Sequence, residues 1–212
     1  MASAELAVAP CAEPCCEEEL RPDLQAVAAL IQPGERVLDL GCGDGALLRC
    51  LIDTLSVTGR GVELTQAGVL ACIRKGLSVR QGDLHEGLGD YPESSFDTVI
   101  LSYTIPYLND PAFVIHEMLR VGKRAVVSFP NWGHWRSRLE FLLGGRMPVA
   151  ASLPQAWEAA PRARPFTIRD FTGFCQRNEF SIAQVVLLRD GQPISQAFAA
   201  ELRATAAIYL LV

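Results

Sequence analysis

A strand-like run that ends in alternating glycines is the part of this sequence best suited to chemistry. Residues 36–40 read Arg-Val-Leu-Asp-Leu and lead directly into Gly-Cys-Gly-Asp-Gly at 41–45. A ligand can lie against the backbone only where no Cβ intrudes, and the first amides of a following helix are free to receive it. The sequence therefore predicts a cofactor loop whose contacts are Gly41, Cys42, Gly43 and Gly45.

The acidic residue before this loop bears on which cofactor fits. The glycine spacing alone also fits the fingerprint G-x-G-x-x-[GA] of dinucleotide sites, which would make the protein an NAD-binding oxidoreductase. Asp39 lies two positions before the first glycine, where its carboxylate would repel a pyrophosphate and attract an ammonium group. S-adenosylmethionine carries an ammonium group and no phosphate. The pattern therefore favours S-adenosylmethionine, with NAD as the alternative.

Further positions extend the predicted cofactor site along the chain. Glu63 and Leu64 are the last residues of the second predicted strand, and the Glu63 carboxylate can accept hydrogen bonds from both ribose hydroxyls. Asp83 follows the third predicted strand and can accept the adenine amino group, while Leu84 can lie on the ring. Ser102, at the end of the fourth predicted strand, completes the set.

The sequence leaves the catalytic residue unknown. Methyl transfer from a sulfonium can proceed by proximity and alignment, so the enzyme needs no strong base. The candidates are His85, His134 and Tyr103, and either histidine could deprotonate a substrate oxygen or nitrogen. A histidine satisfied by packing or hydrogen bonds is the alternative for both. Residues 102–107 lack the Asn/Asp-Pro-Pro-Tyr pattern of amino methyltransferases, which argues against methylation of DNA bases or protein amides.

A regular alternation of strands and helices would position these residues. Apolar runs predict strands at 36–40, 59–64, 78–81, 96–102 and 123–129, and helical periods lie at 22–31, 46–55, 66–75 and 110–121. Alternation at this spacing predicts a parallel sheet covered by helices on both faces. Further segments predict helices at 132–143 and 167–177, strands at 180–188 and 205–212, and a loop with a short helix at 191–203. The predicted fold is α/β, Rossmann-like and doubly wound, with seven mostly parallel strands and an antiparallel last strand.

Composition limits the class of protein. The chain has 212 residues, of which 50% are hydrophobic and 20% charged, as in one ordinary globular domain. We expect a flexible acidic tail at 1–19, a single domain at 20–212, and no membrane span or signal peptide, and therefore a cytoplasmic protein. Seven cysteines without C-x-x-C spacing predict neither a disulfide framework nor a metal site. Those of the tail, at 11, 15 and 16, are interpreted as incidental thiols.

Residues 131–166 are interpreted as a lid or insertion, because prolines and paired glycines interrupt them. Basic side chains outnumber acidic ones 9 to 2 over residues 120–169, although acidic ones lead 18 to 7 over residues 1–119. The segment could hold an anionic substrate or simply form a solvated face. Overall acidity argues against a general nucleic-acid binder. The arginines that could hold an anionic substrate are Arg136, Arg146, Arg162 and Arg164. The tryptophans of this segment, Trp132, Trp135 and Trp157, could either cover the site or belong to the ordinary core.

Long runs of this sequence resemble a known family. From residue 37 to 212 the pattern resembles the class I methyltransferases, and more narrowly the chain is similar to the MetW family of methionine biosynthesis. The runs that carry the likeness are 21–24, 36–45, 81–84, 96–102, 117–122, 127–131, 133–136, 143–148 and 167–171.

The resemblance implies a methyltransferase fold that binds S-adenosylmethionine, with S-adenosylhomocysteine as product. It also implies an accessory role beside a MetX-type homoserine O-acyltransferase. Two runs depart from the family pattern: Ala-Pro-Arg-Ala-Arg at 160–164 replaces a Thr-Pro-Asn-Ile-His run, and Tyr-Thr-Ile-Pro at 103–106 replaces a Gln-containing stretch. The alternative is a genuine small-molecule methyltransferase acting on an anionic substrate.

Overall fold

An eight-stranded β-sheet runs through residues 20–145, 147, 163–195 and 199–212, the part of the chain that the computed structural model describes. The strands in chain order are β1 (Arg36–Leu40), β2 (Thr58–Glu63), β3 (Val79–Gln81), β4 (Phe96–Ser102), β5 (Gly122–Pro130), β6 (Ile182–Arg189), β7 (Gln192–Ile194) and β8 (Ala206–Leu211). Across the sheet they follow the order β3-β2-β1-β4-β5-β8-β6-β7. The predicted tail, and residues 146 and 148–162 of the predicted lid, lie outside the described residues.

Seven helices surround the sheet in the described ranges: α1 (Pro22–Ala28), α2 (Ala46–Leu55), α3 (Gln66–Arg74), α4 (Pro111–Val121), α5 (Trp135–Gly144), α6 (Ile168–Arg177) and α7 (Ala200–Arg203). Side chains at their first turns explain where several of them begin. The Asp110 carboxylate accepts a hydrogen bond from the Phe113 amide at α4. At α6, Thr167 and Asp170 form the predicted capping box, because each side chain accepts from the other's backbone amide.

The strand directions place a crevice at one edge of the sheet. Strands β3, β2, β1, β4 and β5 are parallel neighbours, and β8 lies antiparallel between β5 and β6. The chain extends the sheet first to one side of β1 and then, through β4, to the other. Ligands of such sheets bind beyond the carboxyl ends of the strands where this reversal occurs. Asp39 belongs to β1 at this point and pairs in register with Gly61 and Ile100.

Both faces of the sheet are buried, because residues of the central strands are apolar on both sides. On one face, Leu38 and Leu101 join a cluster with the apolar residues of α4 and α6. On the other face, Val37 and Ile100 join a cluster with those of α1, α2 and α3. The helices thus wrap the sheet on both sides, as the alternation predicted.

One polar network ties the end of the sheet opposite the crevice. Arg124 of β5 donates to Glu35 Oε1 at 2.7 Å, to Thr98 Oγ1 at 2.8 Å and to the Leu30 carbonyl at 3.0 Å. Thr98 is fully buried and also donates to Glu35 Oε2 at 2.7 Å. The network therefore fixes the loop before β1 to the strands beside it.

The eighth strand is the main difference from the predicted sheet. Asp190 and Gly191 have φ values of +50° and +84° and connect β6 to β7 as a two-residue hairpin loop. The Asp-Gly pair is typical of a hairpin turn, but Pro193 is disfavoured within a strand, and the sequence therefore predicts a loop here. Proline is tolerated here because β7 lies at the edge of the sheet.

Two helix boundaries differ from the prediction by three residues. Helix α1 ends at Ala28 because the next turn is tightened: the amides of Leu30 and Ile31 donate to carbonyls three residues back. Helix α5 begins at Trp135 because the Asn131 side chain holds a turn before it, accepting from the Gly133 amide at 2.9 Å. Within the described ranges, no helix is long and apolar enough to cross a membrane.

Candidate functional site

The three glycines after β1 have different structural roles. All have positive φ, +71° at Gly41, +58° at Gly43 and +78° at Gly45, a conformation that favours glycine. A Cβ on Gly41 would lie 2.5 Å from Thr104 Oγ1, and one on Gly45 would lie 2.3 Å from Leu77 Cδ1. At Gly43 the Cβ would meet no described protein atom within 4 Å. Gly43 is therefore the glycine whose Cα hydrogens face open space.

Asp39 presents a buried carboxylate to the space beside this loop. Asp39 is only 3% exposed. Among the residues that the structure describes, none donates a hydrogen bond to its carboxylate. Burial, followed by the charge of Glu63, raises the Asp39 pKa to about 7, while Arg21 acts in the opposite direction. An isolated buried carboxylate is unfavourable. A ligand ammonium group would supply the missing donor, so this position fits the amino group of S-adenosylmethionine.

Glu63 links the glycine loop to α3. Its Oε2 accepts from the Gly43 amide at 3.0 Å, and its Oε1 accepts from the Thr65 amide at 2.9 Å and the Thr65 hydroxyl at 2.8 Å. Oε1 thus uses both of its lone-pair sites, whereas Oε2 keeps one, to which a ribose hydroxyl could donate. Leu64 beside it is 61% exposed, as an apolar side chain available to a ligand would be.

His85 and Asp83 hold each other. Asp83 Oδ1 accepts from the His85 amide at 2.9 Å and contacts Nδ1 at 2.7 Å, and Nε2 accepts from the Asn109 amide at 2.9 Å. These bonds place the ring proton on Nδ1 and lower the Asp83 pKa, first through the backbone bond. A basic role for His85 would require the loss of one bond. Leu84 is buried, and the adenine contacts of Asp83 and Leu84 stay predictions.

A cavity of about 350 Å³ lies at the carboxyl ends of β1 and β4. Its lining consists of Leu20, Arg21, Leu24, Asp39, Gly41, Cys42, Gly43, Asp44, Ala46, Leu47, Ser102 and Tyr103. The structure brings some of the predicted cofactor residues together. Those that line the cavity are Asp39, Gly41, Cys42, Gly43 and Ser102. Glu63 contacts this lining through its hydrogen bond with the Gly43 amide. Gly45, Leu64, Asp83 and Leu84 stand outside its lining. The sequence prediction missed the contribution of Leu20, Arg21 and Leu24.

Tyr103 is a wall of this cavity in an unusual backbone conformation. Its φ is +53°, which is uncommon for a bulky residue. Its amide donates to the Ser128 carbonyl at 2.9 Å, and its ring lies 5.0 Å below the Arg21 guanidinium. The preceding Ser102 hydroxyl is hydrogen bonded to Ser128 Oγ at 2.9 Å. Strained residues that the surrounding structure holds in place are often found at functional sites.

His134 caps α5 and lies outside the lining of this cavity. Its Nδ1 accepts from the Arg136 amide at 3.3 Å. Burial, followed by the charge of Arg136, lowers the His134 pKa, which favours the neutral ring. The predicted catalytic role of His134 stays a prediction.

The predicted lid is described only in part. Trp132 packs against Phe166 with ring centroids 6.2 Å apart, whereas Trp135 is exposed beneath the Arg136 guanidinium. Arg164 donates to the Asn109 carbonyl at 3.0 Å. Among the predicted lid residues, Arg146, Trp157 and Arg162 lie outside the described residues.

A second cavity, of about 340 Å³, adjoins the first. The two cavities share Arg21 and Tyr103, so this pair forms the wall between them. The remaining lining of the second cavity is Pro22, Asp23, Leu188, Asp190, Gly191, Thr205 and Ala206. Arg136 and Arg164, predicted to hold an anionic substrate, stand outside both linings.

The sheet order and the glycine-loop cavity define the fold of class I S-adenosylmethionine-dependent methyltransferases. A methyltransferase from Mesorhizobium loti matches with a TM-score of 0.63 and 16% identity, over 90% of this chain and 97% of that one. Magnesium protoporphyrin IX methyltransferase from Synechocystis, with bound SAH, matches with a TM-score of 0.62 and 19% identity, over 89% and 81%. The predicted fold class is thereby confirmed.

Sequence comparison identifies the family within this class. The chain belongs to the MetW family, because the model described as methionine biosynthesis protein MetW matches residues 21–211. A curated relative from Rhodopirellula baltica, named bifunctional methionine biosynthesis protein MetXA/MetW, is 35% identical over 160 residues. The match covers 71% of this chain, and it spans only 26% of the relative's length. The resemblance predicted from the sequence is confirmed.

Proposed function

We propose that this protein binds S-adenosylmethionine and acts in the cytoplasm as a partner or regulator of a MetX-type homoserine O-acyltransferase in methionine biosynthesis. The observation that carries the cofactor assignment is the buried Asp39 carboxylate, which lacks a donor among the described residues and lines the cavity beside the open face of Gly43. The same carboxylate would repel the pyrophosphate of NAD. S-adenosylhomocysteine keeps the amino-acid end of the cofactor and is expected to bind as well.

The partner assignment is supported by the Rhodopirellula baltica relative, whose name joins MetXA and MetW in one protein. Joining two proteins in one chain raises their effective concentration around each other, which benefits proteins that act together. S-adenosylmethionine derives from methionine, the product of the pathway. A protein that senses this cofactor could therefore report the state of the pathway to its acyltransferase.

Calorimetric titration with S-adenosylmethionine, S-adenosylhomocysteine and NADH tests the cofactor assignment. We expect both adenosyl ligands to bind and NADH to fail. Asp39→Ala and Glu63→Ala should each weaken binding, because one removes the ammonium acceptor and the other the predicted ribose acceptor. Binding of NADH alone would favour the oxidoreductase alternative. Absence of all binding would refute the cofactor assignment and leave the family membership intact.

Reconstitution with the homoserine O-acyltransferase of the same organism tests the partner assignment. The two proteins are mixed and analysed by size-exclusion chromatography, and acyltransferase rates are measured with and without S-adenosylmethionine. We expect a complex or a changed rate. The variant Gly43→Ala, designed to block the cofactor site, separates docking from sensing, because it should keep the complex and lose any cofactor dependence. If the wild-type proteins neither co-elute nor alter the rate, the partner assignment is wrong.

The second cavity favours one alternative, a genuine small-molecule methyltransferase. Among the described residues, Arg21 and Tyr103 line both this cavity and the one assigned to the cofactor, so an acceptor there would be a direct neighbour of the bound cofactor. Its lining combines Asp23 and Asp190 with Arg21, so it offers an acceptor groups of both signs, unlike the basic face predicted from residues 120–169. Incubation with methyl-labelled cofactor and a small-molecule extract tests this activity. Persistent absence of labelled product would count against it.

A further inference from the structure

We propose that Arg21 binds the carboxylate of the amino-acid end of S-adenosylmethionine, opposite the Asp39 carboxylate that takes the ammonium group. The inference rests on the proposed cofactor assignment and adds a residue outside the glycine-loop motif. It makes the segment 20–24, which includes the first residues of α1, a part of the cofactor site.

The position of Arg21 supports this assignment. Arg21 directly precedes α1, and with Leu20 and Leu24 it lines the same cavity as Asp39. Its positive charge acts on the Asp39 carboxylate and opposes the rise in the Asp39 pKa. The guanidinium and the carboxylate therefore face a shared space of about 350 Å³.

Contacts on two sides orient the Arg21 side chain. Its Cζ lies 5.0 Å from the centroid of the Tyr103 ring, and Nη2 donates to Asp23 Oδ2 at 3.0 Å. Asp23 is buried, so this ion pair holds a guanidinium that is otherwise half-exposed. Arginine has five N–H donors, and the contact with Asp23 uses one of them. The remaining N–H groups can donate to a ligand carboxylate.

The chemistry of the ligand matches these two groups. The amino-acid end of S-adenosylmethionine has an ammonium and a carboxylate on one carbon. Asp39 offers a negative group without a donor, and Arg21 offers a planar cation suited to carboxylates. One residue alone would bind half of the zwitterion and leave the other half unpaired. Together they distinguish this ligand from nucleotides whose pyrophosphate carries only negative charge.

A ligand that lacks only the carboxylate provides the test. Wild-type protein and Arg21→Ala are titrated calorimetrically with S-adenosylmethionine and with decarboxylated S-adenosylmethionine. We expect Arg21→Ala to weaken S-adenosylmethionine binding about tenfold, the usual scale for a charge-assisted hydrogen bond to a half-exposed group. Binding of the decarboxylated ligand should change less than twofold. Arg21→Lys should fall between, because it keeps the charge and loses the planar fork.

The comparison of two ligands separates recognition from folding. If Arg21 only anchors α1, its removal will weaken both ligands equally, and that result would overturn the inference. Unchanged S-adenosylmethionine affinity in Arg21→Ala would overturn it as well. Arg60→Ala is the matched control, since Arg60 is an exposed arginine on β2 outside both cavity linings. If wild-type protein binds neither ligand, the proposed cofactor assignment itself fails and this inference fails with it.

Discussion

Two glycines in the same backbone conformation allow a direct test of where the cofactor lies. Gly43 has φ +58° and Gly34 has φ +78°, and a Cβ built on either would meet no described protein atom within 4 Å. Gly34 precedes β1, at the opposite end of the strand from the crevice. Alanine at each position therefore introduces the same backbone strain, and only Gly43→Ala places a methyl group beside the candidate cofactor site.

The expected cost to stability is small and alike in both variants. An alanine in the left-handed region is disfavoured by about 1 kcal/mol. For a chain of this size, that lowers the melting temperature by roughly 2–4 °C. Neither methyl group adds a steric clash within the described protein, so both variants should fold and differ little in urea denaturation.

The expected effect on binding differs sharply between the variants. A ligand packed against the Gly43 backbone would overlap the new methyl group and have to shift, which costs about 1–3 kcal/mol in a packed site. This corresponds to a loss of roughly 5- to 150-fold in affinity. Calorimetry with S-adenosylhomocysteine should show that loss for Gly43→Ala and unchanged affinity for Gly34→Ala. Wild-type affinity in Gly43→Ala would refute the placement of the cofactor on this loop, and equal losses in both variants would point to a global effect.

Four other predictions address charge and packing. Cofactor affinity should rise about tenfold per pH unit up to pH ~7 and then level off, because only ionised Asp39 attracts the ammonium group; a flat calorimetric profile would contradict this. In the free protein, burial raises the Asp39 pKa from its ordinary value of 3.8 to about 7, so stability falls as pH rises between these values. Asp39→Asn should flatten that fall in denaturant titrations. Gly45→Ala should melt several degrees below Gly43→Ala, because the Cβ added at position 45 would lie within 3 Å of the Leu77 and Cys72 side chains. Equal melting temperatures of the two variants would argue against this packing. Arg124→Ala should lower the free energy of unfolding, measured in urea, by about 2 kcal/mol. Arg169→Ala, which removes an exposed ion pair with Glu201, should lower it by less than about 0.5 kcal/mol. Similar losses in the two variants would contradict the role of the Arg124 network.

The sequence predicted best those elements whose signals are local. Residues 36–40, 46–55 and 96–102 have the predicted bounds, since apolar runs are ended there by glycines or turn residues. The places of Asp39 in β1 and of Gly43 in the following loop were predictable for the same reason, because a strand followed by glycines fixes where the loop begins.

Other site features depend on contacts between distant parts of the chain. Arg21 reaches the cavity only because α1 packs against one face of the sheet with its first turn at the carboxyl ends of the strands, and no local pattern signals that arrangement. The Tyr103 conformation depends on a hydrogen bond to Ser128 of a neighbouring strand. The Thr65 hydroxyl donates to Glu63 and accepts from the Gly68 amide at the start of α3, and the positions of these residues in the sequence do not reveal these contacts. These features required the assembled tertiary structure.

The position of β8 has a consequence for synthesis on the ribosome. Strand β8 pairs with β5 on one side and β6 on the other, although both precede it in the chain. Until residues 206–211 emerge, β5 has an open edge and the β6–β7 hairpin has no place in the sheet. Such edges invite pairing with other chains. The parallel half that holds the glycine loop can assemble earlier, so a cofactor that bound it would stabilise the nascent chain while its last strand was still being made.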